Sequence, residues 1–144
     1  MLYAKLLLLI ILSTTVFTDC FSQTSKQTVV VSNIKSNKGK LMIGWYASEV
    51  SYNERQNPIF KKKVDVDKQN QVSVIFDNIP PGKYAVSIFL DENENDKMDT
   101  NFLGIPKEQY GFSNNILPAT RAAHFSEAVF EIKDKSIEIP IRLK

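Results

Sequence analysis

The chemistry-bearing residues of this chain are concentrated between positions 91 and 112. Asp91, Asn93, Asn95 and Asp99 place side-chain oxygens at relative positions 1, 3, 5 and 9 of the segment DENENDKMDTN. That spacing suits a hard cation: alternate residues of a tight loop turn their oxygens inward, and the seventh position, here Lys97, offers its backbone carbonyl. The expected ion is calcium, because magnesium prefers fewer protein ligands and keeps several waters. Two positions depart from an EF-hand. Asp96 stands at relative position 6, where glycine is usual, and Phe102 stands at position 12 in place of a bidentate Glu. The remaining oxygens would come from water, Asn101, or Glu108 folding back. The competing reading is a solvated turn without an ion, since Asp and Asn are good turn formers.

Just downstream, Glu108, Tyr110 and Phe112 form a second candidate, a surface able to grip a glycan or a partner. Against it stands an Ω-loop that packs its own aromatics over one end of the fold. Glu108 with Asp91 or Asp99 could also be drawn as the carboxylate pair of a hydrolase acting on cell-surface glycan. Ion ligation explains those carboxylates better. His124 is the only histidine, and nothing brings a nucleophile and an orienting acid to it. A non-catalytic module is therefore the leading expectation, with no catalytic residue assigned. Arg55, Lys61, Lys62 and Lys63 read as solvated edge and loop charges, one of them (the lysine run) a possible face for a protein partner.

These residues need a scaffold. The chain has 144 residues, 43% of them hydrophobic, which suits one domain with a real core and hardly two. Eighteen basic against sixteen acidic residues leave +2, too little to argue for nucleic acid or an anionic membrane surface. Period-two alternation dominates, over Thr28 to Ile34, Lys40 to Ala47, Ile59 to Val66, Gln71 to Phe76, Lys83 to Leu90, Ala128 to Ile132 and Ser136 to Leu143. The expectation is an all-β, antiparallel, seven-stranded sandwich. Its last two strands should form a hairpin, with Ile137, Ile139, Ile141 and Leu143 facing inward. Ser48 to Asn57 reads as a loop, and the Lys61 to Lys63 run favours an edge strand. Asp91 to Ser126 shows no sustained period and reads as one long functional loop.

The first 22 residues read as a separate object. Lys5 precedes an apolar run, Leu6 to Leu12, too short to span a bilayer, so a cleaved signal peptide is expected, with residues 23–144 as the mature domain. The destination is extracytoplasmic, periplasmic or secreted, with no transmembrane segment in the mature chain. Cys20 as a lipidated cysteine is disfavoured, because Asp19 before it is neither small nor neutral. The mature chain then lacks cysteine and cannot be stapled by a disulfide.

The stretch DNIPPGKYAVSIFLDENENDKMDTNFLGIPKEQYGFSNN, Asp77 to Asn115, resembles the signature of the bacterial family known as domain of unknown function 2141. Pro80 to Val86, Asp91 to Asn95, Asp99 to Glu108 and Tyr110 to Asn115 carry the likeness. Ser126, Glu127, Ala128 and Phe130 continue it. The resemblance implies a secreted or periplasmic protein without an established activity. More distantly, the Pro-Pro-Gly-Lys-Tyr turn and strand is similar to transthyretin-like accessory sandwiches.

Overall fold

A computed structural model describes residues 24–144; the expected signal segment, its cleavage site and Cys20 lie outside the described residues. Among the described residues, eight strands form two facing sheets. The first sheet holds β4 (Gln71–Ile79), β1 (Ser25–Ser32) and β8 (Glu138–Arg142), in that order. The second runs β3 (Phe60–Asp65), β2 (Lys40–Tyr46), β5 (Gly82–Asp91). Two short strands share the free flank of β5: β7 (Phe130–Ile132) against its first residues and β6 (Tyr110–Phe112) against Ser87 to Phe89. The architecture is the expected all-β sandwich, with eight strands rather than seven.

Alternation explains the core. On β1, Gln27, Val29 and Val31 are buried between half-buried or exposed neighbours, and on β4 Val72, Val74 and Phe76 are buried between exposed ones. The opposing sheet contributes Leu41, Ile43 and Trp45 from β2 and Tyr84, Val86, Ile88 and Leu90 from β5. Trp45 sits at the centre, with ring centroids 5.3 Å from Phe76, 5.7 Å from Phe130 and 5.8 Å from Tyr84. Such tilted and edge-on pairs add to the area each ring removes from water. Buried Gln27 is satisfied: its side chain accepts from Ile137 N at 2.8 Å and donates to the Lys135 carbonyl at 3.1 Å.

Four expectations are corrected. The final strand is not half of a hairpin: β7 pairs antiparallel with β5, whereas β8 crosses to the other sheet and pairs parallel with β1. Alternation reports which face is buried and is silent on the partner strand. Ile137 is 39% exposed, because its backbone is held by Gln27 ahead of β8 and its side chain turns outward. Ser48 to Asn57 contains a helix, α1 (Glu49–Glu54), capped by the Ser48 hydroxyl accepting from Ser51 N and closed by Arg55 at φ 54°. Six residues are too few to display a helical period. Finally, Asp91 to Ser126 is an ordered segment, not one structureless loop. It holds β6, a 3₁₀ turn over Ser113–Asn115 and the start of α2 (Phe125–Ala128).

The Lys61 to Lys63 run does lie on an edge strand, β3. Opposite it in the sheet, β5 is covered on both faces near its start. Tyr84 and Val86 enter the main core, while Ala85 joins Tyr46, Tyr52, Phe112, Ala123 and Ala128 in a second cluster behind the sheet. Among the described residues no helix is long and apolar enough to cross a membrane.

Candidate functional site

Strand β5 ends at Asp91, which is fully buried. Its carboxylate closes the acidic loop from below, accepting from Asn95 N at 3.1 Å and Asp96 N at 2.8 Å. The chain can make this turn because Asp96 takes a left-handed conformation, φ 64°, at the position where glycine is usual. Asn93 and Asn95 each fold over the next backbone amides: Asn93 Oδ1 accepts from Asn95 N at 3.2 Å, and Asn95 Oδ1 from Lys97 N at 2.8 Å. Their amide nitrogens converge on Asp99, at 2.6 Å from Oδ2 and 3.1 Å from Oδ1. Asp91, Asn93, Asn95 and Asp99 are thus linked around one ring.

Glu108 folds back onto this ring. It is 7% exposed, and its two carboxylate oxygens accept from Glu92 N and Asp99 N, each at 2.9 Å. One carboxylate therefore ties both ends of the acidic loop together. Outside the ring, Lys40 of β2 pairs with Glu94 at 2.7 Å and Lys63 of β3 with Asp96 at 2.6 Å. The lysine next to it holds the Asp96 carboxyl below its ordinary value. These pairs are exposed and contribute little to stability, but they turn Glu94 and Asp96 away from the ring. The ring itself is made of two carboxylates, Asp91 and Asp99, and two amides, Asn93 and Asn95. Among the described residues, no group of three or more His, Cys, Asp and Glu side chains able to hold a metal ion is present.

Tyr110 and Phe112 sit on β6, apart from Glu108's contacts. Both line a cavity of about 970 Å³ on the outer face of the second sheet. Its floor is the outward-facing row Met42, Gly44 and Tyr46 of β2 beside Ser87 and Phe89 of β5, and its rim includes Leu103 and Ile105. The rim segment is held by Asn101, whose side-chain oxygen accepts from Leu103 N at 2.9 Å and Ile105 N at 3.0 Å. The motif that follows is a latch. Ser113 Oγ, fully buried, accepts from Val86 N at 2.9 Å and donates to the Ala128 carbonyl at 2.5 Å. Asn115 accepts from Arg142 N at 2.7 Å, which stitches the turn to β8. His124 is exposed at the entry to α2, its backbone N donating to Glu127 Oε2 at 2.8 Å.

One residue departs from its expected role. Arg55 is only half-exposed, with its guanidinium 3.9 Å from the Tyr52 ring centroid and 5.2 Å from that of Phe112. The solvated-charge reading missed it because Phe112 comes from β6, far off in sequence, and a helix of six residues shows no period that would pair Arg55 with Tyr52.

Fold and site together define an all-β sandwich whose central strand runs into a rigid ring of carboxylates and amides. Residues 29–140 match the family model described as "Uncharacterized protein conserved in bacteria (DUF2141)", and the chain belongs to that bacterial family. No curated protein and no solved structure is similar to the chain at a significant level.

Proposed function

We propose that this protein is a non-catalytic, extracytoplasmic β-sandwich module whose Asp91–Asp99 loop binds calcium. The observation that carries the reading is the convergence of Asp91, Asn93, Asn95 and Asp99 on one ring, with Asp96 left-handed at the turn. A calcium loop needs that turn at its sixth position. Calcium would take the place of the two amide donors at Asp99, with the Asn93 and Asn95 oxygens and the Lys97 carbonyl adding neutral ligands. With two carboxylates, affinity belongs in the ~0.1–1 mM range of extracellular modules. The extracytoplasmic address rests on the Lys5 and Leu6 to Leu12 pattern.

Glu108 supports the non-catalytic reading. Both its oxygens are engaged by backbone amides, leaving a positioning role in place of acid–base chemistry. A second reading, a protein- or glycan-binding module of the cell envelope, is favoured by the apolar knuckle that Asn101 holds out: Phe102 is 94% exposed and Leu103 68%. Calorimetric titration of the purified protein with calcium tests the proposal. One site of sub-millimolar to millimolar affinity is expected, lost in Asp99→Ala, whose carboxylate takes no backbone hydrogen bond. Absence of binding, or unchanged binding in Asp99→Ala, would contradict it.

A further inference from the structure

The cavity behind the second sheet has a directional chemistry. The chain is almost neutral, yet among the described residues six cations (Arg55, Lys61, Lys62, Lys63, Lys97 and Arg121) and a single carboxylate, Asp96, border this cavity. Most of these cations are spoken for or lie in water. Lys63 pairs with Asp96, and Arg121 grips Glu127 with both terminal nitrogens, at 2.7 and 2.8 Å. Arg55 is different. Its guanidinium carbon lies over the Tyr52 ring, it donates to the Tyr52 carbonyl, and among the described residues it has no carboxylate partner. Burial pulls it below its ordinary value, so its charge is incompletely solvated where it sits. Tyr46 adjoins this end, with its hydroxyl lying over Gly44.

Away from Arg55 the cavity turns apolar. Gly44 and Ser87 pair across the sheet, and the Tyr46 ring lies over Gly44, so the floor of the trough there is the edge of that ring beside the short Ser87 side chain. Beyond them Met42 and Phe89 pair, and Leu103 and Ile105 overhang from the rim, 68% and 55% exposed. The five strand residues from Met42 to Tyr46, four rises of about 3.3 Å, make a floor roughly 13 Å long. The volume of about 970 Å³ lies at the upper end of the range of small-molecule sites.

We propose that this trough binds a free fatty carboxylate, its head on Arg55 and the Tyr46 hydroxyl and its chain along Met42, Phe89, Leu103 and Ile105. A planar guanidinium matches a carboxylate in two parallel hydrogen bonds. Lys61, Lys62 and Lys97 also lack a carboxylate partner among the described residues but are exposed to water, so the half-buried Arg55 is the cation whose charge a carboxylate would neutralise. The cavity adjoins the acidic loop at Asp96 and Lys97, but none of the residues assigned here to the head group or the chain is an ion ligand, so the proposal stands whether or not the ring takes calcium.

The test is calorimetry on the purified protein with octanoate, decanoate and dodecanoate below their micelle concentrations, beside the alcohol and the phosphate monoester of the same lengths. Affinity should rise about fourfold per methylene, the gain expected from burying one CH2. The carboxylate should bind at least tenfold tighter than the matched alcohol, and no weaker than the phosphate. Arg55→Gln should bring the carboxylate down to the alcohol's affinity. The exposed double variant Leu103→Ser, Ile105→Ser should weaken both equally without lowering the melting temperature. No saturable binding, affinity independent of chain length, or equal binding of carboxylate and alcohol by the wild type would each overturn the proposal. Tighter binding of the phosphate would overturn the choice of head group. Because the alcohol comparison uses the wild type, a poorly folding Arg55→Gln leaves the decision intact.

Discussion

Replacing Glu108 by Gln isolates the contact that holds the acidic loop shut. The carboxylate accepts from Glu92 N and Asp99 N at 2.9 Å and is nearly buried. The amide of Gln keeps one oxygen as a neutral acceptor and sets an NH2 group against the other backbone N–H. One charge-assisted hydrogen bond is weakened and one amide loses its partner. With ~1.5–3 kcal/mol for a bond to a charged group and ~1–3 kcal/mol for an unsatisfied buried donor, the combined cost is about 2–4 kcal/mol once local relaxation is allowed. For a domain of this size ~4 °C accompanies each kcal/mol, so the melting temperature should fall by roughly 8–16 °C. Differential scanning calorimetry reads it, with Glu131→Gln on the exposed face of β7 as the control, expected to change stability by less than about 0.5 kcal/mol. Amide exchange should also speed up at Glu92 and Asp99 before the rest of the sheet. A Glu108→Gln protein that melts with the wild type would refute the reasoning.

Gly111→Ala should destabilise by about 1–3 kcal/mol in urea titration, because the new Cβ would stand 2.8 Å from Ile141 Cγ2 and 2.9 Å from the Arg142 carbonyl. Glu127 is held down to about 2, first by the Arg121 guanidinium and then by His124 N–H, against an ordinary 4.5. Its contribution to stability is therefore present above pH 4.5 and lost as pH falls through about 2. Carbon-detected NMR titration should place its midpoint there, moving upward in Arg121→Gln. Burial pushes the Tyr52 phenol up to about 12, with Arg55 opposing, so the neutral form is favoured and its contribution is lost as pH rises from 10 through about 12. One tyrosine should ionise that late in an absorbance titration. Its hydroxyl is buried and has no hydrogen-bond partner among the described residues, so Tyr52→Phe should leave stability unchanged or raise it by up to about 1 kcal/mol in the same urea assay.

The strands were legible wherever one face is wet. β4 reads Val72, Val74, Phe76 against exposed partners, and that pattern survives intact in the fold. Strand partnership was not legible, since Ile139 and Ile141 alternate the same way whether β8 returns beside β7 or crosses to β1. Within the acidic segment, the spacing of Asp91, Asn93, Asn95 and Asp99 could be read directly, and Asp96 could be named as tolerating the left-handed turn. The role of Glu108 could be only half read. Folding back was foreseeable as one option, but its use of both oxygens on Glu92 and Asp99 amides depends on β5 and β6 lying side by side. Ser113, Asn114 and Asn115 look like ordinary turn formers in one dimension. Their side chains in fact bond to Val86, Glu127 and Pro140 backbone groups, which accounts for the specificity of that motif. Arg55 gave no signal, because Phe112 lies on β6, far from it in sequence, and its three-residue spacing from Tyr52 acquires meaning only once the six-residue α1 is formed.

The most direct measurement is the melting temperature of the purified protein in chelator, in ~10 mM calcium and in ~10 mM magnesium. At 10–100 times the dissociation constant, calcium adds roughly 1.4–2.7 kcal/mol, or about 5–11 °C here. The expected result is that shift with calcium, a smaller one with magnesium, none in Asp99→Ala, and an undiminished one in Lys97→Ala, where only the backbone carbonyl is used. A wild type that melts alike in chelator and calcium, or an equal calcium shift in Asp99→Ala, would show that the ring is a solvated turn.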